Sequence, residues 1–362
     1  MVRLRRHGRQ AGAAILLALL IMTLVATLAA GMVWLQWRGI EVESAERART
    51  QAEWLLDASL DWGNLILKSS IRNSHTEDDL GQPWATPLAE TKLSSFLSAD
   101  GNHDAEGGPE AYLSGQISDA EGKYNLYNLV VPPVAGAPPT AALDEINRLK
   151  IVCNAVGVPA DIADTLGAGM KESWAARNAG NGNGNGNGNG NGNGNGTGNA
   201  NSGQSGNGVL MPVQLDDLAW YGIDPKALKL LEPYVQLLPA GAGLVQTITP
   251  INVNTAPAEV LMAAIPGITR TQAQQLILAR QTHPFSKVPD AMSAMGLPAT
   301  GPANLPVGTP PVQAGVTSSH FEIYGQLRLE QHVVRERSVV WRSGQFAPIQ
   351  VLRRERLAPD AS

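Results

Sequence analysis

The chain has 362 residues, a formal net charge of −5 and 16% charged residues, so it is long enough for two folded units. The mildly acidic charge argues against a protein whose main task is to coat nucleic acid or an anionic membrane surface. Its single cysteine, Cys153, cannot form an intramolecular disulfide, and no Cys/His cluster has the spacing of a structural zinc site.

The first predicted element is an uncharged segment from Gln10 to Trp37, almost wholly apolar between Ala11 and Leu35. As an α-helix, this apolar part would extend about 37 Å, enough to cross a bilayer core of about 30 Å. Four arginines precede it, namely Arg3, Arg5, Arg6 and Arg9. The positive-inside rule keeps them in the cytoplasm and places the rest of the chain across the membrane. The alternative is a cleaved secretory signal with its small-residue site at Ala29–Gly31.

The helical pattern continues beyond the apolar segment. Apolar residues recur near the helical period from Ile40 to Ile66, and neither Gly nor Pro occurs between Ile40 and Trp62. The sequence therefore predicts one long helix that is apolar throughout its first half and amphipathic in its second half.

The N-terminus resembles that of type IV pilin-like proteins, with a short basic leader, Gly12, and then Ala13-Ala14-Ile15-Leu16-Leu17. The resemblance implies that a prepilin peptidase cuts between Gly12 and Ala13 and that the new N-terminal residue is methylated. Most pilins carry a glutamate five residues after the cut, where this chain has Leu17. The lack of that glutamate is a trait of one minor pseudopilin family, general secretion pathway protein K of type II secretion systems.

Strand patterns occur on both sides of a helical region. Tyr112–Ser118 and Lys123–Tyr127 flank the turn-rich Asp119–Gly122, which predicts a β-hairpin. Near the C-terminus, alternating apolar and polar residues predict three antiparallel strands at His320–Leu329, Gln331–Trp341 and Pro348–Arg356. Between these regions, helical spacing predicts helices at Ala141–Val156, Pro159–Arg177, Gln214–Leu238 and Pro257–Arg280.

A low-complexity tract lies inside the helical region. Asn181 to Gly196 is eight Asn-Gly pairs, within a Gly/Asn/Ser tract that ends at Gly208. The tract has no apolar side chains whose burial could offset the entropy lost on ordering. The sequence predicts a flexible linker there, without a function of its own.

The segment from Ile251 to Arg280 resembles a helix-hairpin-helix element. It contains the string Asn252-Val253-Asn254-Thr255-Ala256 and the hairpin Ile265-Pro266-Gly267-Ile268-Thr269. The DNA-binding form has a second glycine where this chain has Thr269, and the nearby cations are few, chiefly Arg270, Arg280 and Lys287. A packing role is therefore favoured, and the alternative is a membrane-anchored DNA-binding protein that uses this hairpin.

The sequence offers only poorly supported candidates for metal-binding and catalytic residues. Asp100–Gly107 alternates oxygen-bearing side chains as a calcium loop does, but Ala105 and Ala111 replace the required glycine and closing glutamate. Further acidic residues without motif support are Asp161, Asp164, Asp216 and Asp217. The six histidines are scattered, and no nucleophile or phosphate-binding motif occurs. The sequence predicts no catalytic, cofactor-binding or metal-binding residue, and the resemblance allows calcium without assigning its ligands.

The whole pattern is identified as that of a member of the general secretion pathway protein K family, which implies an α+β fold. A long pilin-like helix would pack on an antiparallel sheet that is interrupted by a large inserted all-α domain. The expected divisions are a leader at 1–12, the pilin helix at 13–68, the first part of the α+β domain at 69–139, the α domain at 140–300 with a linker at 178–208, and C-terminal strands at 301–362.

The resemblance also implies a function and a location. It implies a non-enzymatic subunit that forms the pseudopilus tip with minor pseudopilins I and J and initiates pseudopilus assembly for export of folded periplasmic proteins. The expected partners are those two subunits, the prepilin peptidase and the inner membrane, and no nucleic acid. The N-terminus would be cytoplasmic and the C-terminal domain periplasmic.

Overall fold

A computed structural model describes residues 11–72, 76–92, 111–131, 141–181, 210–241, 246–329, 332–344 and 347–357. Its first element is helix α1, Ala11–Arg72, whose 62 residues make it about 93 Å long. The helix extends beyond the predicted 13–68 at both ends. Its side chains from Ala13 to Trp37 are exposed, so no other described part of the chain covers the apolar half.

The described residues contain six further α-helices and nine strands. The helices are α2 (Ala141–Val156), α3 (Asp161–Asn181), α4 (Pro225–Leu231), α5 (Ala258–Ala264), α6 (Arg270–Thr282) and α7 (Val288–Ala294). The strands are β1 (Leu88–Lys92), β2 (Ala111–Asp119), β3 (Tyr124–Asn125), β4 (Val235–Gln236), β5 (Ile251–Asn252), β6 (Ala314–Gly315), β7 (His320–Leu329), β8 (His332–Trp341) and β9 (Gln350–Leu357).

The main sheet has five antiparallel strands in the order β1-β2-β7-β8-β9. Strand β2 pairs with β7 along its whole length, from Ala111 opposite Leu329 to Asp119 opposite Phe321. Strands β1 and β2 precede the helical region in sequence, whereas β7, β8 and β9 follow it. The α+β fold class is therefore confirmed, and the three C-terminal strands lie within two residues of the predicted bounds.

The predicted hairpin after β2 is wrong. Residues Ala120–Gly122 form a 3-10 turn, and the following β3 pairs in parallel with β4 instead of returning along β2. The Asp119 side chain accepts a hydrogen bond from the backbone N–H of Glu121 and stabilises this turn, which directs the chain out of the sheet. A nine-residue ladder with β7 takes the place of the much shorter pairing that a local hairpin would have offered.

Two predicted helices are divided. The Gln214–Leu238 segment forms a 3-10 helix at Leu215–Tyr221, then α4, then β4; Gly222 at φ 78° ends the first and Pro225 begins the second. The Pro257–Arg280 segment is split into α5 and α6 by a hairpin with Gly267 at φ 94°. In both places a left-handed glycine breaks a pattern that looks continuous in apolar spacing.

The predicted linker at 178–208 begins later than expected. Helix α3 continues through Asn181, so the first four residues of that range are helical. The rest of the Asn-Gly tract lies outside the described residues. The division of the chain into domains stays a prediction.

One face of the second half of α1 packs on the sheet. Ala52, Leu56, Leu60 and Leu67 are buried at helical spacing, which explains the amphipathic pattern of this half. They contact the inward side chains of β2 and β7, among them Leu113, Ile117, Phe321, Ile323 and Leu327. Trp84 packs in this core with its ring edge-on to that of Phe321, and the two ring centroids are 5.3 Å apart.

The helical region has its own larger core. Leu149 and Leu166 from α2 and α3 are buried with Val260 and Leu276 from α5 and α6. The short strands contribute Val235 and Ile251 to the same cluster, so the two small parallel pairings lie within the helical region. In the described residues, the core among the helices is thus separate from the apolar clusters under α1.

Helix α1 crosses the sheet above two glycines that face each other on β2 and β7, Gly115 and Gly325. A Cβ atom at Gly115 would lie 2.9 Å from the backbone oxygen of Tyr324. A Cβ at Gly325 would lie 3.4 Å from Ser59 Oγ and 3.6 Å from Leu56 Cδ2, which are ordinary contacts. Of the two positions, only Gly115 excludes a side chain by contact with backbone.

Gly115→Ala is therefore expected to lower the free energy of unfolding by about 1 to 3 kcal/mol, because the strand pair must move apart. Gly325→Ala is the matched control and should cost less than about 1 kcal/mol. Denaturant unfolding of the full chain in detergent micelles, followed by tryptophan fluorescence, measures both. Equal losses in the two variants would contradict this account of the contact between β2 and β7.

Candidate functional site

The apolar half of α1 has the length and composition of a membrane span. It forms part of the one membrane-span candidate among the described residues, which runs from Ala13 to Ser70; the most apolar window of that candidate is 0% buried. Thr23 and Thr27 interrupt the apolar run, and each hydroxyl donates a 2.9 Å hydrogen bond to the helix carbonyl three residues earlier. These bonds satisfy the hydroxyl donors inside the helix, which suits a segment in hydrocarbon.

The predicted processing residues lie at the start of this helix. Gly12 and Ala13 are in the first turns of α1, and Ala13 is exposed. Leu17 is 61% exposed on the same helix. Residues 1–10 of the predicted leader lie outside the described residues, so cleavage between Gly12 and Ala13 stays a prediction.

The second half of α1 presents large exposed apolar side chains opposite its sheet contact. We call the residues Trp54, Ala58, Asp61 and Leu65 the outer face, since they follow one another at helical spacing away from Ala52, Leu56 and Leu60. Trp54 is 72% exposed and Leu65 61% exposed. Large apolar side chains that recur on one exposed helix face are typical of an interaction surface.

Ion pairs beside the outer face fix α1 against the edge strand β9. Arg356 Nη2 lies 2.8 Å from Glu53 Oε1, and Arg354 pairs with both Asp57 and Glu336. Each of these charged side chains is therefore paired with an opposite charge within the chain. The outer face is therefore positioned by α1 and β9 together.

A polar junction, defined here as Asp78, Asp119, Asn252, Ser318 and Arg342, joins α1, the sheet and the helical region. Arg342 Nη2 donates to both carboxylate oxygens of Asp78, at 2.7 and 2.6 Å, and to the Ser318 carbonyl at 2.8 Å. The Asp78 and Arg342 side chains are each 6% exposed. The guanidinium also donates to Ser70 Oγ near the end of α1 at 3.0 Å, so the pair connects that end to the sheet.

Asp119 is the acceptor at the centre of the junction. Its Oδ2 accepts hydrogen bonds from Thr255 Oγ1 at 2.6 Å, Ser318 Oγ at 2.7 Å and Asn252 Nδ2 at 2.9 Å. Burial raises the pKa of this carboxyl to about 6, and the negative charge of Glu121 adds to the shift. The junction thus contains one carboxyl group that titrates in mildly acidic solution.

The Asn252 string connects the helical region to this centre. The fully buried Asn252 also donates to the Asp78 carbonyl at 2.9 Å, and its Oδ1 accepts from the Asn254 N–H at 3.0 Å. Asn254 in turn exchanges two hydrogen bonds of 2.9 Å with the backbone of Phe285. Each polar side chain of the string meets a buried partner, which agrees with a packing role.

The junction residues other than the Asn252 string carry no signal in the sequence. Asp78 and Arg342 are separated by 264 residues, and Asp119 and Ser318 by 199. No local motif marks them.

The hairpin between α5 and α6 is covered by the protein itself. A Cβ at Gly267 would lie 2.3 Å from Leu305 Cδ2 and 3.5 Å from Pro302 Cβ, so these side chains pack on the hairpin backbone. At the start of α6, Thr269 and Gln272 cap each other through reciprocal side chain–backbone hydrogen bonds. The backbone N–H groups of Thr269 and Gln272, which could otherwise bind a phosphate, are therefore already bonded within the chain.

The cations near the hairpin are also engaged. Arg270 pairs with Glu259 at 2.8 Å and donates to the Ala155 carbonyl at 3.0 Å. Arg280 donates to the carbonyls of Val253 and Ala256, both at 2.7 Å, and burial lowers its pKa to about 10. These contacts disfavour the DNA-binding alternative, because both arginines are bonded within the chain and Arg280 is largely buried, which leaves only Arg270 exposed to solvent.

The candidate metal residues are not brought together. Asp164 pairs with Lys150 at 2.8 Å, while Asp217 Oδ2 accepts the backbone N–H groups of Val213 and Gln214. Among the described residues, no group of three or more His, Cys, Asp or Glu side chains could hold a metal ion. The Asp100–Gly107 loop lies outside the described residues, so calcium binding stays a prediction.

Three comparisons with known proteins agree. A family model described as type II secretion system (T2SS), protein K matches residues 251–308, which contain the Asn252 string and the hairpin. The type II secretion system protein K of Pectobacterium carotovorum subsp. carotovorum is 26% identical over 355 residues, 96% of this chain and 97% of that protein. A chain of the GspK–GspI–GspJ complex from the enterotoxigenic Escherichia coli type 2 secretion system shares the fold, with a TM-score of 0.57 at 18% identity, covering 87% of this chain and 99% of that one.

The stability of the protein is expected to fall as the pH rises from about 4 to about 6. Over this window Asp119 is more protonated in the folded protein than in the unfolded chain, because its folded pKa is raised to about 6, and its contribution to stability is lost as the proton leaves. The loss should amount to about 3 kcal/mol. Thermal unfolding of the full chain in detergent across this window measures it.

Asp119→Asn is the control for that pH dependence. It should be less stable than the unmodified chain at pH 4, because its amide nitrogen would oppose either the Glu121 N–H at the Oδ1 position or Asn252 Nδ2 at the Oδ2 position. Its stability should change much less between pH 4 and 6. An undiminished slope in Asp119→Asn would show that other groups carry the effect.

Proposed function

We propose a role for this chain on the basis of its membership of the type II secretion system protein K family. The chain is a minor pseudopilin that forms the tip of a pseudopilus with minor pseudopilins I and J. It initiates pseudopilus assembly, which serves the export of folded periplasmic proteins. The role is structural and not catalytic.

One observation carries this proposal. Helix α1 is continuous from Ala11 to Arg72, yet within the part of the chain that the structure describes its apolar half is uncovered and its second half is covered on one face only. A helix that leaves so much apolar surface uncovered is incomplete as the element of a lone soluble protein. A membrane before assembly, and neighbouring subunits after it, would cover both surfaces.

The proposed placement follows from the charges that flank the span. The arginine-rich leader stays in the cytoplasm, α1 crosses the inner membrane once, and the sheet and helical region lie in the periplasm. The first charged residue after the span is Arg38, whose guanidinium lies 5.7 Å from the ring centroid of Trp34. Aromatic side chains of this kind favour the membrane interface.

A tip position is supported by the start of α1. Leu17 stands where most pilins have a glutamate, and a carboxylate in hydrocarbon is tolerable mainly when it is paired. The partner of that glutamate in pilins is the amino terminus of a neighbouring subunit. A subunit with no neighbour above it has no need of the pair.

The position of the helical region also supports the tip. It is joined to the sheet near the end of α1 farthest from the span, through Asn252 on Asp78 and Asp119. A bulky region at that end occupies the space that a subunit stacked above would need. The interaction with subunits I and J is proposed by analogy with the Escherichia coli complex of similar fold.

Processing is the first property to test. Co-expression with a prepilin peptidase should yield a chain that begins with N-methylated Ala13, as read by intact mass and N-terminal sequencing. Gly12→Val, which alters the residue before the expected cut, should remain uncut and serves as the control. A chain cut near Ala30, or one left uncut, would contradict a pilin-like subunit and favour an ordinary signal or anchor.

The outer face of α1 is tested by Trp54→Glu. Because Trp54 is 72% exposed, its replacement should leave the thermal midpoint nearly unchanged. Co-purification with minor pseudopilins I and J from detergent extracts should fall at least about tenfold, since a buried interface would gain an unpaired charge.

The matched control is Trp220→Glu, which changes a tryptophan that is 53% exposed in the helical region. This variant should bind both subunits as the unmodified chain does. Normal co-purification of Trp54→Glu would remove the outer face from the proposed interface.

A further inference from the structure

Asp61 gives the outer face of α1 a negative charge. It lies two turns after Trp54 and one turn before Leu65, on the same side of the helix. Trp54 is 72% exposed and Leu65 is 61% exposed, and the Asp61 side chain is exposed between them. A partner that covers both apolar side chains, about 16 Å apart along the helix axis, must therefore also cover the Asp61 carboxylate.

Asp61 has no counter-charge in the part of the chain that the structure describes. None of the described residues forms a hydrogen bond or an ion pair with its carboxylate. The four positions three or four residues away, where a cation on the same helix would be close enough to pair, hold Asp57, Ala58, Asn64 and Leu65. The cations of α1 nearest in sequence are Arg49 and Lys68, and the closer one, Lys68, is about 10 Å farther along the axis. Salt at about 0.1 M screens much of the attraction over that distance.

The two preceding acidic residues of α1 differ from Asp61. Glu53 pairs with Arg356 of β9 at 2.8 Å, and Asp57 pairs with Arg354 of the same strand. These pairs lie where the helix meets β9, so they hold α1 on the sheet. Asp61 contributes no such contact within the described residues, and it lies one turn from Asp57, whose like charge is unfavourable.

The spacing of the outer face fits a second helix. Its four residues follow one another at intervals of four, three and four positions, which is the spacing of the seam between two helices packed side by side. Ala58, between Trp54 and Asp61, is small and leaves room for a side chain of the facing helix. A helix laid along this seam would meet an apolar, a small, an acidic and an apolar position in that order.

The carboxylate restricts which helices can dock there. A partner that covered Asp61 with apolar atoms alone would remove water from a charge without replacing its hydrogen bonds, which is strongly unfavourable. A lysine or arginine at the facing position would replace that water with a charge-assisted hydrogen bond. The outer face therefore favours a helix with a cation at this position over one that is apolar or acidic there.

We propose that Asp61 selects the partner of the outer face, and that this partner is a helix of a neighbouring subunit with a lysine or arginine against the Asp61 carboxylate. Apolar side chains on either side of that cation cover Trp54 and Leu65. The inference rests on the proposed place of the chain in a pseudopilus and specifies the chemistry of its partner there.

The charge requirement is tested by co-purification of the full chain with minor pseudopilins I and J from detergent extracts. Asp61→Lys should lower the amount recovered at least about tenfold, because it places two cations together in the interface. Its thermal midpoint should not fall, since the substitution also removes the repulsion from Asp57. Glu46→Lys is the matched control, because it makes the same change of charge at an exposed position of α1 outside the outer face. It should bind as the unmodified chain does.

The partner's cation is identified by reciprocal substitution. Each lysine and arginine in the helices of subunits I and J is replaced by glutamate in turn. One of these replacements should weaken binding to the unmodified chain about tenfold and restore the binding of Asp61→Lys to within about threefold. Such restoration is specific to two side chains that face each other.

Three results would overturn the inference: normal co-purification of Asp61→Lys, tighter binding by Asp61→Leu, or no replacement in the partners that restores Asp61→Lys. Tighter binding by Asp61→Leu would show that the partner is apolar at this position. An unmodified chain that co-purifies with neither subunit would overturn the proposed function as well. A chain that co-purifies regardless of the charge at position 61 would overturn only the assignment of Asp61.

Discussion

The structure depends on a buried polar junction that must satisfy every charge it contains. The Asp78–Arg342 pair and the Asp119 carboxylate are cut off from water, so each requires several well-placed hydrogen bonds. Those bonds come from the end of α1, the starts and ends of sheet strands, and the Asn252 string of the helical region. The requirement for these hydrogen bonds fixes the position of the core under α1 relative to the core among the helices. Apolar contacts alone would define that position less closely.

Helix α1 is one continuous helix whose first half suits a bilayer and whose second half packs on the sheet. Its apolar half meets the requirements of a bilayer, because its backbone groups beyond the first turn are bonded within the helix and the hydroxyls of Thr23 and Thr27 bond back to it. Its second half buries Leu56, Leu60 and Leu67 against the sheet and leaves Trp54 and Leu65 outside. Since the helix is continuous, movement of the apolar half out of the membrane would carry the sheet and the helical region with it.

The helix-hairpin-helix element shows how a known local motif can serve packing. The features that would bind a phosphate are a bare hairpin backbone, an open helix terminus and free cations. Here Leu305 covers Gly267, Thr269 and Gln272 cap the helix, and Arg280 donates to two carbonyls of the Asn252 string. The same element thereby stabilises the segment that carries Asn252 and Thr255 to Asp119.

Local periodicity was sufficient to predict the long helix, the helix at Ala141–Val156 and the three C-terminal strands, because each is specified by its own apolar spacing. The sequence also determined the composition of the membrane span and the absence of a glutamate at Leu17. Only the tertiary structure decided that β2 pairs with β7 instead of forming a hairpin, and that Gly222 and Gly267 divide two apparent helices. It alone brought Asp78 to Arg342 across 264 residues, since contacts between distant segments leave no periodic signal in the chain.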